Sequence, residues 1–130
     1  MGLFKAKQLL EKGSIVLVRF SHVMIYSQRH AESVKWYCEK LGYEIDYNAP
    51  NEYASLHHKL LGRLAIHATN SSASIGVGPM PYLLCDNIHE TITDFKKLGI
   101  QVSEPIREGE SPWFADFQDL DGNQWGLEEV

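Results

Sequence analysis

Apolar and polar residues along the chain follow two rhythms, one of period two and one near 3.6, and their order occurs twice. Residues 14–27 are rich in Val, Ile and Phe and read as extended, which sets His22, Met24 and Tyr26 on one side and Val23 and Ile25 on the other. From His30 onward, Ala31, Val34, Cys38 and Leu41 recur at three- and four-residue steps, and Gly42 closes a helix over 30–41. Residues 43–48, 52–59 and 63–69 then read as strands, the last two joined across LLGR as a hairpin with Gly62 in its loop. Ahead of these, residues 3–12 have helical spacing and stop at Gly13.

After NSSASIGVGP the order returns. MPYLLCDN reads as a strand and IHETITDFKKLG as a helix over 88–98, with Asp86 or Asn87 as its N-cap. IQVSEP, SPWFADFQD and NQWGLEEV follow as three strands, and CEKLGYEI is matched by FKKLGIQV. The chain therefore repeats a βαβββ unit with a period of about 57 residues. Each unit buries its helix against one face of a small sheet, so two units form an α+β fold with a curved, cup-like mixed sheet and one open face. Alternation predicts Val23, Ile25, Leu64, Ile66, Leu83, Cys85, Trp125 and Leu127 on the helix side, and His22, His67, Met80 and Gly126 toward the cup.

Composition changes this picture only by exclusion. A chain of 130 residues, 44% hydrophobic and 22% charged, is long enough for one domain with a real core. Its formal net charge of −5 argues against a nucleic-acid partner. Cys38 and Cys85 form no CxxC and read as reduced packing residues, no apolar run is long enough to span a bilayer, and MGLFKAKQLL lacks a signal-peptide core. The expected location is cytoplasmic, with no membrane partner. His57 and His58 point to opposite faces of a strand, His30 and His89 stand at helix starts where surface capping is the ordinary role, and Arg63 reads as a solvent-facing strand end.

HVMIYSQRHAESVKWYCEKLGYEI, the second helix ending in KKLGI and the closing turn DLDGNQWGLEE together resemble the vicinal oxygen chelate superfamily of glyoxalases, extradiol dioxygenases and bleomycin-resistance proteins. The resemblance implies a single glyoxalase-like domain over 18–130, with module one at 18–70 and module two at 77–130, preceded by an N-terminal helix and extension at 1–17. It also implies four metal-ligand positions, on the first and fourth strands of each module. His22 and His67 stand at the two positions of module one, whereas Met80 (or Pro79) and Gly126 stand at those of module two. Glu128 shares strand parity with Gly126 and offers one carboxylate, about 6 to 7 Å displaced.

Two functions follow as expectations. The first is a small-molecule-binding protein of the bleomycin-resistance type, without a cofactor, whose ligand pocket includes His22, Tyr26, His67, Met80 and Gly126. The alternative is a lyase, isomerase or dioxygenase with a divalent metal on His22, His67 and Glu128. A small organic ligand and a homodimer are expected under either.

Overall fold

The computed structural model of the protein describes Leu17 and residues 19–130. The helix expected at residues 3–12, the extension to residue 16 and the start of the strand expected from residue 14 lie outside the described residues. Module one consists of β1 (Val23–Ser27), α1 (His30–Leu41), β2 (Glu44–Ala49), β3 (Tyr53–His58) and β4 (Gly62–Ala68). Module two consists of β5 (Tyr82–Cys85), α2 (Ile88–Lys97), β6 (Phe114–Gln118) and β7 (Gln124–Glu129), with a short 3-10 turn at Ser72–Ser74 between the modules. The strand orders are β1-β4-β3-β2 and β5-β7-β6. In each sheet the strand before the helix runs parallel to the last strand of its module, and the remaining pairs are antiparallel.

This is the α+β, twice-repeated architecture that the alternation predicts, with two refinements. Among the described residues the two sheets are hydrogen-bonded separately. The strand expected over IQVSEP is reduced to two isolated bridges, Val102 with Phe117 and Ile106 with Phe114. Pro105 lies between them and has no N–H to give a ladder. The Asp116 N–H instead donates to the Ser103 side chain at 3.0 Å.

The turns follow their residues. Gly42 ends α1 in the left-handed region at φ 76°, and its N–H donates to the Tyr37 carbonyl, a conformation that costs glycine little. Asn87 caps α2 by accepting the Glu90 N–H at 3.1 Å. The hairpin between β3 and β4 is held from inside by His58, whose Nδ1 accepts the N–H groups of Leu60 and Leu61.

One apolar core lies under both sheets. Ile25, Leu64, Ile66, Trp125 and Leu127 are buried in it, and Val23, Leu83 and Cys85 pack against it partly buried, on the side alternation assigns. The face of α1 differs from the expected stripe. Its buried residues are His30, Ser33, Val34 and Tyr37, while Ala31 is exposed and Cys38 and Leu41 are half-buried. His30 is therefore no surface cap: it is 5% exposed, and its Nε2 donates to the Ile66 carbonyl at 3.1 Å.

The rotation of α1 has a cause in module two. The Tyr37 hydroxyl donates to Asp119 Oδ2 at 2.7 Å and accepts from Trp125 Nε1 at 2.9 Å. Asp119 Oδ1 accepts three successive N–H groups, those of Asp121, Gly122 and Asn123, at 2.9 to 3.0 Å. Asp121 takes the Ser27 hydroxyl at 2.6 Å and the Gln28 N–H at 3.0 Å, and the Asn123 amide donates to the Tyr26 carbonyl at 3.0 Å. The closing DLDGN turn of module two thus clasps the end of β1 and the side of α1. Burial raises the Asp119 carboxyl above its usual range against the opposing pull of these donors, and burial, then the Asp119 charge, raises the Tyr37 hydroxyl well above its own.

Candidate ligand-binding faces

The side of each sheet turned away from the helices carries the candidate chemistry. On module one the register sets Tyr26 of β1 opposite His67 of β4, and His67 opposite Tyr53 of β3. The Tyr26 and His67 ring centroids are 6.0 Å apart, His67 meets Tyr53 edge-on at 4.7 Å, and Tyr47 of β2 lies 6.2 Å beyond. Four rings therefore cross all four strands in one row, from half-buried Tyr26 to exposed Tyr47. The edge-on His67–Tyr53 pair and the tilted pairs on either side of it hold ring orientation and leave aromatic surface to a ligand.

Beside the row stands a set of charges that answer one another. His57 Nδ1 lies 2.6 Å from Asp46 and its Nε2 lies 3.2 Å from Glu44, so both ring nitrogens are engaged. Arg63 reaches Asp46 at 3.6 Å and Ser55 at 3.4 Å. A bulge between Ile45 and Tyr47 turns Asp46 toward this group. Arg63 is accordingly a partner on the open face as well as an exposed strand residue.

Module two is built differently. Tyr82 of β5 pairs with Gly126 of β7, and its ring lies against the glycine so closely that an added Cβ would stand 2.6 Å or less from Cδ2, Cε2 and Cζ. Gly126 is consequently buried although it is on the open side. One pleat along, Glu128 lies opposite Leu84 on one flank and Phe114 on the other. Between the modules, Met24, Tyr26, Val77 and Met80 line a narrow cavity of about 110 Å³ under the 74–81 segment.

The residues singled out in the sequence are scattered over this surface. Tyr26 and His67 are brought together in the aromatic row. Met80 is exposed over the seam, and Gly126 lies beneath Tyr82. His22 is exposed just before β1, with Nδ1 2.8 Å from the Ser21 hydroxyl. His67 is in register with Tyr26, four residues along from His22, which is about 13 Å of strand. Glu128 belongs to the other sheet.

Among the described residues no three His, Cys, Asp or Glu side chains gather as a metal centre. A three-ligand divalent site therefore does not fit His22, His67 and Glu128 within one chain, and the place of a Gly126 carboxylate is filled by the Tyr82 ring. Tyr53, Tyr47 and Tyr82 went unnoticed as site residues in the sequence, whereas alternation allowed one aromatic of SPWFADF, the segment that holds Phe114, to reach the open face. One signal for Tyr82 was present there: it follows Tyr26 at nearly the spacing of the repeat.

Comparison with solved structures finds the same architecture in several proteins. TnmS3, an antibiotic binding protein from Streptomyces sp. CB03234, superposes with a TM-score of 0.72 at 17% identity, over 88% of this chain and 98% of that one. A bleomycin resistance determinant encoded on transposon Tn5 gives 0.67 at 19% identity, over 86% and 98%. The fosfomycin resistance protein FosX of Listeria monocytogenes, in a complex with Mn(II), gives 0.70 at 12% identity, over 87% and 90%. At these identities the likeness is one of fold. A comparison with curated proteins gives no match. Residues 19–127 match the sequence profile of the Glyoxalase/Bleomycin resistance protein/Dioxygenase superfamily, and with both modules in place the chain belongs to that superfamily.

Proposed function

We propose that the protein binds a small, flat organic molecule on its open face without a resident divalent metal. The observation that carries this reading is the row Tyr26, His67, Tyr53 and Tyr47, in which four rings crossing one sheet offer stacking surface and a hydrogen-bonding edge. Met80 over the seam and His22 at the start of β1 border the site, and Tyr82 on Gly126 closes the position from which a carboxylate would reach a metal. TnmS3, named for antibiotic binding, supports the reading by its fold. The alternative, a divalent-metal lyase, isomerase or dioxygenase using His22 and His67, needs further ligands from a second chain or a displaced Tyr82. The reading includes a homodimer, because β5 ends its sheet and exposes Leu84.

The test is fluorescence titration of the full chain with 9-anthracenemethanol, a flat uncharged probe, beside elemental analysis of untagged protein. Tyr53→Ala should weaken the probe about 2- to 12-fold, the worth of one aromatic contact, while leaving thermal unfolding nearly unchanged. A tightly held divalent ion, lost on His22→Ala, would overturn the reading.

A further inference from the structure

The open face of module two carries a shallow hollow of about 390 Å³ lined by Tyr82, Phe114, Pro112, Ser111, Glu108 and Glu128, the two glutamates being its only charged groups among the described residues. We propose that this hollow takes the ammonium group of an organic cation. The inference rests on the reading of the open face as a small-molecule site and names the charge that its ligand carries.

Three observations support it. Glu128 is half-buried between Leu84 and Phe114, and among the described residues no ammonium, guanidinium, hydroxyl or N–H group reaches its carboxylate; the Cys85 thiol meets its backbone carbonyl instead. Glu108 is exposed; its N–H donates to the Ser111 hydroxyl, and among the described residues its carboxylate has no side-chain partner. Arg107, next to Glu108 in the chain, is engaged elsewhere: its Nε donates to the Ser111 carbonyl at 3.0 Å, and its guanidinium lies 5.8 Å from the centre of the Trp113 ring.

A carboxylate partly withdrawn from water without a partner is unfavourable, and a bound ammonium would offset that loss. The two ring walls select the same charge, since the negative face of an aromatic ring attracts a cation and disfavours an anion. They also select an organic cation over a metal ion, because the two carboxylates come with no third ligand, whereas rings and Pro112 suit methyl or methylene groups around a nitrogen. On module one Glu44 and Asp46 each have a side-chain partner within reach, His57 for both and Arg63 for Asp46, so the preference for a cation is placed on module two.

The experiment uses four probes on the full chain near pH 7 and low salt: 9-aminoacridine, flat and cationic; 9-anthracenemethanol, flat and uncharged; anthracene-9-carboxylate, flat and anionic; and benzyltrimethylammonium, small and cationic. The expected result is 9-aminoacridine bound about tenfold more tightly than the uncharged probe and the anion bound most weakly. Glu128→Gln, which keeps the shape and removes the charge, should cut 9-aminoacridine affinity about tenfold and leave the uncharged probe unchanged. Glu108→Gln should act in the same direction.

Equal binding of the cationic and uncharged probes, indifferent to Glu128→Gln, overturns the inference while the stacking reading stands. If benzyltrimethylammonium binds in a Glu128-dependent way and neither flat probe binds, the stacking reading falls and the ammonium site stands. Failure of all four probes removes both.

Discussion

Module one and module two repeat one order of elements, and their helix sides are alike: Ile25, Leu64 and Ile66 in the first and Trp125 and Leu127 in the second all face a common core. Their open sides diverge. Module one presents a row of rings and a linked polar group in which His57 lies against Asp46 and Glu44 and Arg63 reaches Asp46. Module two presents Tyr82 on Gly126 beside Phe114, with two carboxylates, Glu108 and Glu128, that no side chain answers among the described residues. The difference shows where a repeated fold is free to change. Residues on the core side are held to apolar character by packing, whereas most of those on the open side meet solvent or a ligand and are less constrained by their neighbours, Gly126 beneath Tyr82 being an exception.

The largest effect should come from breaking the joint that makes the modules comparable at all. Asp119→Ala strands three backbone N–H groups and removes the acceptor of the Tyr37 hydroxyl proton and one of the two acceptors of the Asn123 amide, so it should cost about 3–5 kcal/mol in urea unfolding. An unchanged urea midpoint would mean that the turn is not the joint.

Converting module two toward the metal pattern is the next test. Gly126→Glu should destabilise by about 1–3 kcal/mol, because its Cβ meets the Tyr82 ring. Adding Tyr82→Ala should relieve most of that loss. By calorimetry neither variant should bind a divalent ion tightly, because His22 stays about 13 Å of strand away from His67. Tight metal binding by either variant would show that the two histidines meet after all.

The smallest effect lies at high pH, on module one's side of the core. Burial pushes Tyr43 up to about 12 from its usual 10.0, so between those values the unfolded chain loses a proton that the folded chain keeps. Folding stability should therefore fall as pH rises from about 10 to about 12. Tyr43→Phe should flatten part of that fall in chemical unfolding followed across this range, and an unaltered slope would remove Tyr43 from the account.

Much of this fold was legible in the chain because local rules act locally. Three- and four-residue spacing with Gly42 as a stop located α1 at His30–Leu41, and alternation assigned the helix side of β1, β4, β5 and β7. Where a distant partner intervened, local rules misled. Ala31 belonged to the apolar stripe by spacing, yet α1 buries His30, Ser33 and Tyr37, because the Tyr37 hydroxyl is claimed by Asp119 and Trp125, more than 80 residues away in sequence. The strand expected over IQVSEP failed at Pro105 for the opposite reason, a local feature overlooked within a longer pattern.

The candidate site divides along the same line. By itself the sequence determined which side of each strand a residue occupies, so His22, Tyr26, His67, Gly126 and Glu128 could all be assigned to the open face. Only the tertiary structure decided which of them meet. Alternation has period two and carries no information on register, which is fixed by turns, bulges and packing over the whole sheet. Register sets His67 beside Tyr26 and Tyr53, leaves His22 about 13 Å down the strand, and lays the Tyr82 ring on Gly126.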